Sequence, residues 1–289
     1  MLAYTAIMFF RTRNLKNKIA IQNEELGIKN NIIEARNKDI TDSIEYAGRI
    51  QNSIIPSPET LQQYFKDSFV LFRPKDIVSG DFYWVEQSGK EVILAVADCT
   101  GHGIPGALMS VIGANLLNEA VNQHGITQPA EILNRVRKNL IAFLQKNNAE
   151  SGVKDGMDIC IISWNKETQT VQYAGAYNAL YVISDNKLTE YSADKTPVGI
   201  YFSDVTAPFT NLVIPVKSGD RLYLFTDGFA DQFGGPRGKK FKYKQMQNLF
   251  LELHQNPMHT QKENIERTFE QWKGNLEQVD DVCVVGVRV

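Results

Sequence analysis

An α+β protein is what this chain predicts. Short apolar runs bounded by turn residues alternate with segments whose apolar residues recur at helical spacing, and the first quarter carries a seven-residue repeat. The runs are expected as strands, the spaced segments as helices packed on them, and the repeat as a long coiled-coil helix. That mixture suits two antiparallel sheets stacked as a sandwich and flanked by helices. The 289 residues and 43% hydrophobic content allow one sizeable core plus an extension.

From the N-terminus, Met1 to Phe10 is apolar and precedes Arg11, Arg13, Lys16 and Lys18, all before the first acid, Glu24. Spanning a bilayer takes about 20 apolar residues, and a signal peptide carries its charges ahead of its apolar run. Residues 1–10 therefore read either as the remnant of a transmembrane helix with positive flanking charge or as an ordinary exposed N-terminus, and the chain is expected in the cytoplasm, on the first reading at a membrane's inner face. Over 11–55, Ile19, Leu26, Ile33, Ile40, Ala47 and Ile54 recur every seven residues. With these at heptad d, Asn23, Asn30, Asn37 and Ile44 fall at a. Asn at a favours in-register parallel pairing and lowers stability, so a weak, adjustable parallel homodimer is expected. Pro56 and Pro58 close the helix, leaving 56–64 as a linker and 65–289 as the globular domain.

Phe82 to Glu86 and Val92 to Ala97 read as a hairpin turning at Gln87-Ser88-Gly89-Lys90. Pro105 opens a helix whose Leu108, Val111, Ile112 and Leu116 share a face, with Gly125 after its end. A second helix fits Pro129 to Asn147, its core stripe Ile132, Leu133, Val136, Leu140 and Phe143. Strands follow at Met157 to Trp164, Val171 to Ala174, Ala179 to Ser184, Leu212 to Val216, Arg221 to Thr226 and Val282 to Val289. Helices fit Lys244 to His254 and Lys262 to Trp272.

Four aspartates, Asp81, Asp98, Asp227 and Asp280, stand where these strands begin or end. Antiparallel pairing of the hairpin carries Asp81 and Asp98 to one sheet end, and pairing of the strands at Arg221 and Val282 would gather Asp227 and Asp280 in the same way. Crowded carboxylates repel and raise each other's pKa unless a cation neutralises them, and hard oxygen donors favour Mg2+ or Mn2+. No paired Cys or His spacing suggests zinc. For any single Asp, a turn or helix cap is the commoner explanation.

The text around the four outweighs that explanation. Val78-Ser79-Gly80-Asp81-Phe82-Tyr83-Trp84, Ala97-Asp98-Cys99-Thr100-Gly101-His102-Gly103, Phe225-Thr226-Asp227-Gly228 and Asp280-Asp281-Val282 occur in order. Over about residues 65 to 289 this series resembles the SpoIIE-type branch of the PPM family, the metal-dependent serine/threonine protein phosphatases related to phosphatase 2C. The resemblance implies an α/β/β/α sandwich in which Asp81, Asp98, Asp227, Asp280 and the backbone carbonyl of Cys99 ligate two Mn2+ or Mg2+ ions. Asp281 is the alternative to Asp280 if the register slips by one, and Asp231 matches a third-metal position of some relatives. The reaction implied is hydrolysis of a phosphoserine or phosphothreonine by a metal-activated water, with the ions about 3.5–4 Å apart. Relatives often act on phosphorylated anti-sigma antagonist proteins, which makes such a protein the expected partner. His102 is the candidate general acid for the leaving oxygen. Arg73 and Lys75 could meet substrate phosphate but read as solvated surface charges. Many relatives carry His where this chain has Tyr177, which puts local substrate contacts in question rather than the metal ligands.

Net charge of −2 and the lack of a basic, aromatic-interleaved stripe argue against nucleic-acid binding. Cys99, Cys160 and Cys283 lack framework spacing and read as buried residues of a reduced, cytosolic protein. Two rivals to the enzyme remain, a catalytically silent scaffold of the same fold and a coiled-coil adaptor.

Overall fold

Most strands of this chain are apolar on both faces, so both sides of each sheet need cover, and the computed structural model shows how four layers provide it. The structure describes residues 1–147, 155–199 and 207–289. Two units are distinct: Met1–Ala47, a helix by itself, and Gly48–Val289, which holds both sheets.

The first helix, α1 (Leu2–Ile54), takes in residues 2–10 of the apolar segment without a break. Ile19, Leu26, Ile33 and Ile40 of the repeat are exposed along it. The stretch 56–64 is more than the linker expected, because Ser57 caps a short helix α2 (Pro58–Tyr64) with its side chain and Pro58 sits at the first turn. Leu61 and Phe65 are buried in the core, and the Tyr83 hydroxyl donates to the Pro56 carbonyl. The folded unit therefore starts at Gly48, not at 65.

Next come β1 (Ser68–Arg73), β2 (Phe82–Ser88), β3 (Glu91–Cys99), α3 (Gly103–Asn118), a π-helical turn over Glu119–Gln123, and α4 (Pro129–Asn147). The middle of the chain is β4 (Gly156–Asn165), β5 (Thr170–Ala176), β6 (Leu180–Ser184), β7 (Lys187–Tyr191), β8 (Val198–Gly199), β9 (Leu212–Pro215) and β10 (Arg221–Phe225). The last part is α5 (Gly228–Asp231), β11 (Phe233–Gly234), β12 (Lys239–Lys240), α6 (Tyr243–Leu253), α7 (Met258–Lys273) and β13 (Val282–Arg288).

One sheet runs β1-β13-β10-β6-β7 and the other β2-β3-β4-β5-β9, with β8 on β4 and β11-β12 as a separate ribbon. The named pairings are all antiparallel. Alternate residues sort cleanly. Tyr83, Leu94, Val96 and Ile162 face Leu222, Leu224, Val285 and Val287 between the sheets. Phe82, Trp84, Ile93 and Ala95 face α3 and α4, while Tyr223, Phe225 and Val284 face α6 and α7 through Phe250, Ile265 and Phe269. This is the α/β/β/α sandwich the resemblance implied.

Two core assignments need correction. On α3 the buried residues are Gly106, Ala107, Met109, Ser110, Gly113, Ala114 and Leu117; Leu108 is 60% exposed, and Val111, Ile112 and Leu116 are half-buried, Ile112 and Leu116 packing at the core's edge. Small residues take the inner face because α3 presses on backbone, as at Gly106, where a Cβ would stand 2.1 Å from the Gly101 carbonyl oxygen. α3 also begins at Gly103 rather than at Pro105. On α4 the stripe is buried except Phe143, which is 52% exposed. Gly106→Ala is expected to lower stability by about 1–3 kcal/mol through overpacking, whereas Gly27→Ala, with open space around it, should be neutral or mildly stabilising. Urea unfolding of the two variants checks this; an unchanged midpoint for Gly106→Ala would refute the close approach.

Candidate metal centre

In the β2-β3 hairpin Phe82 stands opposite Ala97, so Asp81 entering and Asp98 leaving share one end of the sheet. Asp98 also lies opposite Asp158 on β4. In the second sheet Phe225 pairs with Val284, which brings Thr226 and Asp227 beside Asp280 and Asp281. A cleft of about 390 Å³ opens here, lined among others by Asp98, Cys99, His102, Asp158 and Asp280.

Asp81 is buried, and its Oδ2 accepts from the Thr226 hydroxyl at 2.6 Å, across the two sheets. The Cys283 N–H fixes that hydroxyl at 2.9 Å. Asp281 is spent on structure: its Oδ1 accepts from Lys75 N and its Oδ2 from Gly80 N, each at 2.7 Å. It thereby anchors the loop leading into Asp81, while Asp280 lines the cleft. The Cys99 carbonyl lies against Gly80, where an added Cβ would come within 3.2 Å of its oxygen.

The electrostatics show how unfavourable this assembly is for bare charge. Burial, then the Asp98 charge, pushes Asp81 well above the ordinary aspartate value of 3.8, against the Thr226 hydrogen bond. Burial followed by the charges of Asp227 and Asp280 raises Asp98 to about 8. Asp158 is raised to about 7 by burial and then Asp227, and Asp227 to about 6 by burial, Asp280 and Asp231, with Lys240 opposing. Among the described residues, no three His, Cys, Asp or Glu side chains already close into a metal cage. Asp98, Asp158 and Asp280 line the cleft, while Asp81 is buried behind it. An all-oxygen set of several carboxylates and a backbone carbonyl, disfavoured as free anions, fits a hard divalent cation.

Other expected residues stand nearby with different partners. His102 caps α3 with its backbone but makes no side-chain cap bond, and its Nδ1 lies 3.3 Å from Asp76 Oδ2 at the exposed cleft rim. The Asp231 carboxylate pairs with Lys240 Nζ at 2.7 Å. Arg73 pairs with Glu266 and Glu270 and lies over the Phe269 ring, so it serves the α7 packing rather than the cleft. All three cysteines are free and buried.

Residues 88–289 match the family described as Stage II sporulation protein E. The chain belongs to the SpoIIE family. Its domain is a PP2C-like serine/threonine protein phosphatase domain of that type. It is 26% identical over 200 residues to the phosphoserine phosphatase RsbU of Bacillus subtilis (strain 168), matching 67% of this chain and 55% of RsbU, just over half that relative's length. Among solved structures, the SiaA-PP2C domain of Pseudomonas aeruginosa is similar at 28% identity and TM-score 0.79, covering 88% of this chain and 99% of that one. The SpoIIE phosphatase domain with a fragment of its regulatory domain, from Bacillus subtilis, shares the fold at 18% identity and TM-score 0.59, covering 77% and 63%.

In this SpoIIE-type domain Tyr177 adopts φ 57° and is exposed, while the neighbouring Asn178 side chain donates to the Asp158 carbonyl at 3.2 Å. The substitution of His by Tyr thus falls on a turn beside β4. Two site residues escaped the sequence reading. Asp158 could have been found as a strand-start carboxylate at Met157 to Trp164, paired with β3. Thr226 had no signal beyond adjacency to Asp227, because its contact with Asp81 spans the two sheets.

Proposed function

We propose that the domain hydrolyses phosphoserine or phosphothreonine on a regulatory protein. The observation that carries the reading is the meeting of two sheet ends, which gathers Asp81 and Asp98 from one and Asp227 and Asp280 from the other around a cleft that Asp98 and Asp280 line, with three of the four held above their ordinary pKa. Asp81, Asp98, Asp227, Asp280 and the Cys99 carbonyl would hold two Mn2+ or Mg2+ ions, and Asp231, once released from Lys240, a third. Bound there, such ions neutralise the carboxylates, acidify a water and hold phosphoryl oxygens.

The chain's own groups do the rest. Thr226 and Asp281 fix Asp81 and its loop before any ion arrives. His102, at the exposed cleft rim beside Asp76, would give a proton to the departing serine or threonine oxygen. Burial, then the charges of Asp98 and Asp81, pushes the Cys99 thiol up, so it stays protonated and offers no thiolate for a covalent phosphoenzyme.

RsbU carries the name phosphoserine phosphatase, which supports phosphoserine as the group removed, and the family resemblance favours a phosphorylated protein of the anti-sigma antagonist class as its bearer. The repeat on α1 supports a parallel homodimer through the coiled coil, and the basic residues after 1–10 support a position at the cytoplasmic face of a membrane. The full chain should release phosphate from a phosphoserine peptide only when Mn2+ or Mg2+ is supplied. No release from any phosphopeptide or small phosphoester at millimolar metal would favour the silent scaffold or the adaptor.

A further inference from the structure

Charge is unevenly spread along this chain, and the most one-sided stretch of the globular unit leaves the metal centre directly. Between Gln232 and Leu251 the sequence has five cations, Arg237, Lys239, Lys240, Lys242 and Lys244, and no acid. All five are exposed. Among the described residues Lys240 alone of the five forms an ion pair, with Asp231 at 2.7 Å. The segment is firmly built. It returns to α5, one turn after Asp227, through Phe241 N to the Gln232 carbonyl at 3.0 Å and Lys242 N to the Ala230 carbonyl at 2.7 Å. Gly235 N donates to the Trp272 carbonyl at 2.7 Å, and the Phe241 ring stands edge-on to Trp272 at 5.2 Å. The β11-β12 ribbon therefore projects from a fixed base, with Arg237 in its turn. Charge rather than stacking is what it presents, because Phe241 is buried and Lys240 lies over the Phe233 ring.

We propose that the β11-β12 ribbon and the start of α6 form a docking surface for acidic residues of the phosphoprotein whose phosphate enters the cleft. The inference rests on the phosphatase reading and adds the charge of the substrate to it. Helix α6 strengthens the argument, since a helix N-terminus favours negative charge, yet its first turn holds no acid, Lys242 precedes it and Lys244 lies in it. Cations kept against that preference, without a counter-charge in the fold, suit an anionic partner. Position selects which partner. The ribbon is rooted where Asp231 N bonds the Asp227 carbonyl at 2.9 Å, so a protein lying on it brings its neighbouring side chains to the cleft. The carboxylates that line the cleft repel an acidic partner until ions fill it, and the ribbon supplies the attraction that holds such a partner beside it.

The test uses the full chain at saturating Mn2+ and two phosphoserine peptides alike except in their flanks, Asp and Glu in one, Asn and Gln in the other. At low salt the parent should show a kcat/KM about tenfold or more higher for the acidic peptide, carried by KM, and high salt should remove most of that advantage. The triple variant Arg237→Gln, Lys239→Gln, Lys244→Gln leaves Lys240 on Asp231 and spares Lys242 with its φ of 74°. It should hydrolyse the neutral peptide as the parent does and lose most of the preference. Arg237→Gln alone should act the same way by less, and it decides the matter should the triple variant fail to fold. Equal kcat/KM for the two peptides in the parent, or a preference that survives the triple substitution, would overturn the proposal. So would a labelled oligonucleotide that the parent binds more tightly than the acidic peptide and the triple variant does not. If the parent hydrolyses neither peptide, the functional reading fails, and fluorescence anisotropy with the same two peptides, labelled, still decides whether the ribbon selects acidic sequences.

Discussion

Asp98→Asn is expected to reduce phosphate release by more than about a hundredfold, since even partners outside a metal's ligand set are commonly worth 10–100-fold. The same change should leave the metal-free protein at least as stable as the parent. The two effects have opposite signs for one reason. Burial and the charges of Asp227 and Asp280 make the Asp98 carboxylate unfavourable in the fold, as its rise to about 8 records, and only a cation turns that disfavoured charge into an asset. Asn keeps the shape and removes the charge. Steady-state hydrolysis of a phosphoserine peptide, with thermal melts in a chelating buffer, checks both halves. Near-parental turnover would remove Asp98 from the centre, and a much lower melting temperature without metal would make its role structural.

Much of this site is legible along the chain, and the illegible remainder is long-range. Asp81 and Asp98 can be paired from the sequence because the residues between them form one hairpin, whose turn sets the register locally. Asp227 and Asp280 follow from apolar runs flanked by acids, one after its strand and one before, and the antiparallel pairing of β10 with β13 agrees with what those runs suggested. Asp281 could not be separated from Asp280 by pattern. The loop geometry gives them different surroundings, with Asp281 bonded to the backbone of Lys75 and Gly80 and Asp280 lining the cleft. Helical periodicity caught only part of α3 because it weighs large apolar residues, whereas this helix meets backbone at Gly80 and Gly101 and puts Gly106, Ala107, Gly113 and Ala114 inside beside Met109 and Leu117. Strand β1 and helix α2 were passed over, although Leu61, Phe65 and Val70 are buried between the sheets. Their lengths of six and seven residues give too few periods for a pattern to stand out.

Metal uptake coupled to proton release is the second large effect. Asp98, Asp158 and Asp227 have folded values of about 8, 7 and 6, all above the ordinary 3.8. Between those limits the folded chain holds protons that the unfolded chain has already lost. Stability in the absence of metal should therefore fall, as far as these groups decide it, as pH rises from about 4 to about 8. Ions that bind only the folded state should restore stability most at the upper end of that window. Because the ligands must lose protons to bind, apparent affinity should rise by about tenfold per pH unit for each proton displaced.

Titration calorimetry of the folded full chain with Mn2+, at two pH values and in buffers of different ionisation heat, reads ion count and proton release together. About two ions per chain, binding more tightly at the higher pH and expelling protons, is the result expected. A folded chain that takes up neither Mn2+ nor Mg2+ at millimolar concentration would contradict the account at its root.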